Sequence, residues 1–494
     1  MGIILIFLFI LFYITLTDLR RLRAFSGHHG PPTYPLIGCL IPFYKNRNRL
    51  LDWYTQLLSH SPTYTIVLRR LGAPTTIVTA NPQNVEYILK TNFSNFPKGK
   101  PFTDILGDFL GHGIFNVDGE LWQTRRKLAS HEFTSRSLAD FVKHILIEEV
   151  NKGLIPMLET LSKRNEVVDL QDLLGRFSFN VICKFTLGIN MRCLDPSFPI
   201  SPLARAFEVA SEISARRGAA PLFLIWKMKR WLGVGSERRL REAVEKVKSQ
   251  VMDMIYERKK NMTRATKNAP GDGDDLLSRL VRAGQEEEVI RDMVISFILA
   301  GKDTTAAALT WFFWLISHHA ETQHQIVKET EALDYESLRN LDFLKACLCE
   351  SMRLYPPVAW DSKHAIEDDW LPDGTRVKAG DRVTYFPYGM GRMEALWGKD
   401  WFEFRPDRWF IETDKNKKMR SKVSAFKCPT FQAGPRTCLG EEMAFIQMKY
   451  VVASMLRRFN VRPVSQDEPV FVPFLTAHMA GGLKVLVSQR ENLP

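Results

Sequence analysis

The ten residues Phe431-Gln432-Ala433-Gly434-Pro435-Arg436-Thr437-Cys438-Leu439-Gly440 constrain this chain more than any other stretch. One cysteine stands between two glycines, beside an arginine and behind a phenylalanine. Apolar spacing after it predicts a helix from Leu439 to about Arg458. Glycines permit φ > 0 and let a flat ligand approach the backbone closely. A helix N-terminus supplies unpaired N–H groups and the positive end of a dipole, which favour thiolate over thiol at Cys438. Arg436 is placed to meet an anionic group on the same ligand, and Phe431 to shield the sulfur from water. Such a thiolate suits iron. A lone cysteine is ordinarily a small buried apolar residue, so the rest of the chain has to agree.

A second segment does. Val289 to Ser317 reads as one long, almost wholly apolar helix, opened by Glu286, Glu287 and Glu288, which suit its N-terminus. In its middle lies Ala300-Gly301-Lys302-Asp303-Thr304-Thr305. Acidic and hydroxyl groups inside an apolar helix are costly without partners. Gly301 weakens the helix, and Thr304 can bond back to a carbonyl and open a local bulge. On its own the segment is a polar kink. Beside a redox cofactor, Asp303 and Thr304 become a carboxylate and a hydroxyl on a proton path toward dioxygen.

Taken together, the pattern F-x-x-G-x-R-x-C-x-G at 431–440 and A-G-x-D-T-T at 300–305 resemble the haem loop and oxygen helix of the cytochrome P-450 family. Two further stretches resemble that family. Trp122-Gln123-Thr124-Arg125-Arg126 matches its W-x-x-x-R helix, and Glu350-Ser351-Met352-Arg353 its E-x-x-R pair, with Arg408 in Phe404-Arg405-Pro406-Asp407-Arg408-Trp409 as third member. The resemblance implies haem b with Cys438 as axial thiolate, Trp122, Arg126 and Arg436 near its propionates, and Phe431 against the sulfur. Glu350, Arg353 and Arg408 are implied to be scaffold. His364 stands where many members carry a propionate-binding arginine. The implied fold is mainly α with small β-sheets, the helical prism of that family.

Segments Phe386–Glu394, Ala359–Ala365 and Leu475–Gly482 look like those of plant fatty-acid ω-hydroxylases. That likeness implies attack at or near the end of an aliphatic chain. Fatty acids rank first, jasmonoyl-amino acid conjugates second and sterol side chains third. Candidate apolar pocket walls are Phe115, Phe297, Val358, Trp360 and Leu475. A non-catalytic haem protein has no use for the Asp303–Thr304 pair. A hydroperoxide rearrangement is disfavoured by the intact oxygen-helix pattern.

No third glycine completes Gly111-His112-Gly113, because position 116 is Asn, and no P-loop occurs. NADPH therefore has no evident site, and electrons are expected from a separate NADPH–cytochrome reductase. A net charge of +12 suits an acidic donor or an anionic membrane. No zinc-finger spacing or basic-aromatic run points to nucleic acid. Seven scattered cysteines argue against a disulfide framework and for a reducing compartment.

Residues 1–18 carry an apolar run followed by Asp18, and Arg20, Arg21 and Arg23 come next. Charge after the span, with no A-x-A cleavage site, predicts an uncleaved single-pass anchor with a cytosolic body, as on the endoplasmic reticulum. Residues 19–38, ending in Gly30-Pro31-Pro32 to Gly38, form a semi-rigid linker, and 39–494 the catalytic domain. Thr63–Leu71 and Pro74–Thr79 predict two strands, Asn81 to Val327 is mostly helical, and Arg258 to Asp275 predicts a loop. Hydrophobic substrate, dioxygen, reductase and membrane lipid are the expected partners.

Overall fold

The computed structural model describes residues 29–490, apart from Leu36, Leu71, Gly72, 196–200, 221–222, 265–274, 331–332, 413–417 and 421–422. The expected anchor, residues 1–18, and most of the linker lie outside the described residues. Within them the chain is mainly helical, with twelve helices of ten residues or more and five small sheets.

After helix α1 (Leu50–Ser59) come strands β1 (Thr65–Leu68) and β2 (Thr76–Thr79), paired antiparallel. Their β-branched residues are buried on both faces, which explains an unbroken apolar run in place of alternation. Far along the chain, β3 (Asp361–His364) and β4 (Arg382–Tyr385) complete a four-stranded sheet of order β1-β2-β4-β3. Its register sets Thr76 beside Arg382, and His364 opposite Arg382. An apolar core under this sheet includes Tyr54, Phe96 and Phe386.

The larger core belongs to the helices: α2 (Gly119–Ser130), α3 (Leu170–Leu187), α4 (Pro202–Gly218), α5 (Phe223–Leu232), α6 (Ser236–Arg264), α7 (Glu287–Ser317), α8 (Asp342–Leu354) and α9 (Glu441–Leu456). Helix α7 is the central one. Among the described residues it alone is long and apolar enough to cross a membrane, but protein buries it. Its apolar length thus serves a core, as for any helix packed on every side. Gly301 lets it approach α3, since a Cβ there would come within 2.5 Å of Ile182. The expected bulge is absent. α7 runs as an uninterrupted α-helix, although Thr304 Oγ1 does donate to the Ala300 carbonyl at 2.6 Å. The loop expected from Arg258 is also corrected, because α6 continues to Arg264.

A buried ion cluster joins α8 to the segment that leads into the cysteine loop. Arg353 donates Nε and Nη2 to the two Glu350 oxygens at 2.9 and 2.7 Å, and both side chains are fully buried. Its other N–H groups reach the carbonyls of Trp401 at 2.8 Å and Glu403 at 3.1 Å. Arg408 Nε, Trp409 Nε1 and the Arg405 amide also donate to Glu350, at 3.2, 3.0 and 3.0 Å. Every oxygen of that carboxylate is spoken for. Glu350→Gln leaves the buried Arg353 guanidinium without its anion, while Arg408 keeps Asp400, and costs roughly 3–5 kcal/mol. Chemical denaturation should show that loss, with haem content falling alongside it.

Candidate active site

The cysteine loop is shaped by its backbone. Gly434 has φ +67°, and a Cβ there would meet the Leu89 carbonyl oxygen at 2.1 Å, so no other residue fits. A short 3-10 turn follows, Gly434–Arg436, held by Thr437 donating both its N–H and its Oγ1 to the Gly434 carbonyl at 3.0 and 2.8 Å. The Cys438 amide closes the loop on the Phe431 carbonyl at 2.8 Å. Phe431 in turn packs against Phe445 of α9, with ring centroids 5.1 Å apart. That helix begins at Glu441 with Gly440 as its cap, two residues later than the spacing predicts, so Cys438 sits just ahead of its N-terminus.

Cys438 is the one exposed cysteine of the seven, yet protein surrounds its sulfur. Burial pushes the thiol up to about 11, against the lowering effects of the Gly440 N–H and of Arg126. Coordination to a metal deprotonates such a thiol outright. Gly440 keeps its flank open: a Cβ there would press on the Phe133 ring at 3.4 Å. Phe133 stacks on Phe297 at 5.8 Å, so the structure places Phe297 in the packing beside the cysteine loop.

Positive charge converges on the same loop. Arg126 donates to the Thr437 carbonyl at 2.7 Å, and Arg436 lies over the Trp122 ring at 4.5 Å while bonding Asp118 at 2.6 Å. Arg436 Nε is buried with no acceptor. Burial lowers the pKa of both arginines.

His364 behaves differently from the arginine it replaces. Its Nδ1 lies 2.6 Å from the Lys98 carbonyl, which can only accept, so Nδ1 carries the proton and Nε2 keeps a lone pair. Burial holds its pKa down at about 4, which leaves the ring neutral and unable to donate to an anion through Nε2. Sequence reading missed its neighbour. Lys363 is fully buried on the opposite face of β3, with Nζ 3.4 Å from Asp361 Oδ2 and no well-aligned hydrogen bond. Burial draws its pKa down to about 7, and the repulsion of Lys98 and Arg436 adds to that. Asp361 is an anchored carboxylate that accepts from Lys98 at 2.6 Å, Tyr385 at 2.8 Å and Gln432 of the cysteine loop at 3.2 Å. Alternation along a strand was the available signal: one step from His364 reverses the face.

The oxygen-helix motif is tied outward. Lys302 Nζ bonds Asp303 Oδ1 at 2.8 Å and approaches Glu208 of α4 at 3.6 Å. Burial disfavours the Lys302 ammonium, but the two carboxylates outweigh it and raise its pKa. Asp303 and Leu475 line one cavity of about 390 Å³ between α3, α4, α7 and the turn after Phe471–Pro473. Of the other expected walls, Phe115 is exposed, Val358 half-buried, and Trp360 stacks on Phe386 at 6.2 Å.

Among the described residues no group of three or more His, Cys, Asp or Glu is placed to hold a metal ion. An iron held through Cys438 alone would bring most of its own ligands, as haem iron does. The residues fit that group. An exposed cysteine residue, a glycine-only cradle at Gly434, and unmatched donors on Arg436 and Lys363 suit a flat macrocycle bearing carboxylates. Gly434→Ala should lower haem content several-fold through backbone strain, read from the Soret-to-protein absorbance ratio. Unchanged loading would refute the cradle.

Comparison with known proteins agrees with this geometry. The family model described as cytochrome P450 matches residues 29–482. Cytochrome P450 94B1 of Arabidopsis thaliana is 56% identical over 481 residues, covering 96% of this chain and 94% of that protein. Cytochrome P450 94B3 of the same plant is 54% identical over 490 residues, covering 98% and 96%. Cytochrome P450 94A1 of Vicia sativa is 44% identical over 470 residues, covering 94% and 91%.

Proposed function

This chain belongs to the cytochrome P450 family and is a haem-thiolate monooxygenase, and we propose that it hydroxylates an aliphatic chain at or near its terminal carbon. The observation that carries the catalytic half is Cys438, the one exposed cysteine of the seven, held ahead of α9 by a turn only glycine can make. Haem, when bound, supplies reductive activation of dioxygen and insertion of one oxygen atom into a C–H bond. Cys438 would ligate its iron. Trp122, Arg126, Arg436 and Lys363 would hold its carboxylates, whereas the neutral His364 ring lies on the other face of β3. Phe431 covers the sulfur.

Asp303 and Thr304 move protons. Glu208 is largely exposed, Lys302 links it to Asp303, and the next residue carries the hydroxyl, so a route runs from solvent toward the reacting oxygen. The Ala300 carbonyl accepts from Thr304 and orients that hydroxyl. Leu475, Val358, Trp360 and Phe115 contribute apolar surface for the chain. Apolar walls bind alkyl groups but cannot choose one carbon, so shape beside the sulfur must set the position of attack.

A membrane location supports a lipophilic substrate. Helix α5 exposes Leu224, Ile225, Met228, Trp231 and Leu232, interleaved with Lys227, Lys229 and Arg230. Apolar residues flanked by cations suit an anionic bilayer surface. In this reading segment 1–18 anchors the chain in the endoplasmic reticulum, 19–38 links it to the cytosolic catalytic domain at 39–494, and an NADPH–cytochrome reductase supplies electrons.

Cys438→Ser should abolish the reduced carbon-monoxide band diagnostic of a thiolate ligand. A variant that kept band and turnover would sink the assignment. In reductase-containing microsomes, a long-chain fatty acid should yield products oxidised at or next to the chain end. Thr304→Ala should keep that position of attack while most NADPH consumption is diverted to peroxide. Oxidation confined to rings or mid-chain carbons would overturn the substrate reading.

A further inference from the structure

The segment between the helix Gly99–Leu110 and α2 is held at both ends, and no step above uses the residue that holds its first end. Asp292 stands in the second turn of α7 and is only 2% exposed. A buried carboxylate is costly unless it is paired and hydrogen-bonded. Arg291 supplies one partner, its Nε and Nη2 meeting Oδ1 at 2.9 and 2.8 Å. The other oxygen, Oδ2, accepts the backbone N–H of His112 at 2.8 Å. Such a charge-assisted bond is stronger than a neutral one. Around it the segment lies flush on the helix. A Cβ at Gly111 would come within 2.1 Å of Asp292 Oδ2, and one at Gly113 within 2.1 Å of Ser296 Oγ, one turn on. Asn116 stiffens the loop, donating Nδ2 to the Gly111 carbonyl at 2.8 Å and its N–H to the Gly113 carbonyl at 2.9 Å.

The far end is fixed to the cysteine loop. Arg436 donates to the Val117 carbonyl at 3.0 Å and to Asp118 at 2.6 Å. Asp118 also accepts the N–H groups of Lys98 and Gly99, both at 3.0 Å. Gly111–Asp118 is thus a strap from the oxygen helix to the loop that carries Cys438. Within it Gly113, Ile114, Asn116 and Val117 are buried, whereas Phe115 is 40% exposed. From Phe115 to Asp118 the backbone can reach at most about 11 Å. The ring is therefore kept near the cysteine loop by contacts that it does not make itself.

We propose that Asp292 is a positioning residue for the site of attack: it pins the strap to α7, so that Phe115 stands as a fixed wall beside the end of the substrate chain. An alkyl end offers only apolar contacts, and sliding by one methylene costs little unless a rigid wall stops it. Held at Arg436 alone, the strap would open easily at its other end, because few bonds would resist the motion. The His112 bond removes that freedom. Asp292 acts through Phe115 and does no chemistry of its own. The inference rests on the aliphatic-chain reading, with Phe115 as a wall, and deepens it by naming what fixes the carbon attacked.

The test uses full-length holoenzyme in reductase-containing microsomes with dodecanoic acid, reading the ratio of terminal to in-chain hydroxylation. Phe115→Ala should lower that ratio several-fold. Asp292→Ala should lower it in the same direction while the reduced carbon-monoxide band is retained. Should that variant lose the band, Asp292→Ala with Arg291→Gln removes the stranded cation and is read in its place. Asp292→Ala with Phe115→Ala should lower the ratio no further than Phe115→Ala alone, since the two residues act as one unit. Arg291→Gln strips the ion pair, leaves the carboxylate on His112, and should keep the wild-type ratio. Amide exchange of residues 111–118 should quicken about tenfold or more in Asp292→Ala, the scale of one hydrogen bond to a charged group. Additive shifts, an unchanged ratio or unchanged exchange overturn the proposal. An equal shift in Arg291→Gln also overturns it, marking a general packing effect. If wild type itself oxidises no chain end, the aliphatic-chain reading fails and takes the proposal with it; failure in the variants alone leaves that reading standing.

Discussion

The Glu350 carboxylate is the constraint on which the site's geometry depends. It sits fully buried at the end of α8 and accepts from Arg353, Arg408, Trp409 and the Arg405 amide. A buried ion network of this kind is weak evidence for stability, because desolvation consumes most of the Coulombic gain. Its value is positional. The Arg353 fork reaches carbonyls of an otherwise irregular stretch, Trp401 and Glu403, while a Cβ at Gly391 would strike the Arg353 carbonyl oxygen at 2.1 Å. Irregular backbone has no ladder to fix it, so these bonds take the ladder's place. The same stretch precedes the cysteine loop, and errors in one would be inherited by the other.

Helix α7 works the opposite way, as an uninterrupted rod. Close approach at Gly301 presses it on Ile182 of α3. One turn along, the Thr304 hydroxyl takes the Ala300 carbonyl as its acceptor. Asp303 bonds Lys302 and lines the cavity, whereas the Thr304 hydroxyl, about 100° further round the helix, is held by the helix's own backbone. The uninterrupted helix shows that a back-bonded threonine can be accommodated without opening a bulge.

Which parts were legible in the sequence follows from range. Local patterns carried the cysteine loop, the apolar helix and the E-x-x-R pair, because each is set by residues a few positions apart. Helix ends were displaced by two residues at Glu441 and by about six at Arg264, where polar composition hid a continuing helix. The His364 expectation shows the harder limit. A motif position names a place in a strand, whereas the side chain's direction depends on register with β4, which lies about twenty residues away. Lys363 looks like any lysine until the sheet closes over it. Phe297 likewise reads as an apolar wall, and only the fold sets it against Phe133.

That alternation has a further consequence for specificity. Residues 361 and 363 face the cysteine loop, whereas Arg382 and His364 face the other way, so one thin sheet separates two cationic clusters. Neither can borrow the other's counter-ion, because the sheet's own core lies between them and Asp361 is saturated from its own side. A slip of one residue in the β3–β4 register would exchange the two faces, placing Lys363 with Arg382. The register is pinned by Ser362 and Thr384, whose hydroxyls meet at 2.9 Å, and by Arg382 donating to that same serine. Two small hydroxyl groups thus hold the register of this sheet edge.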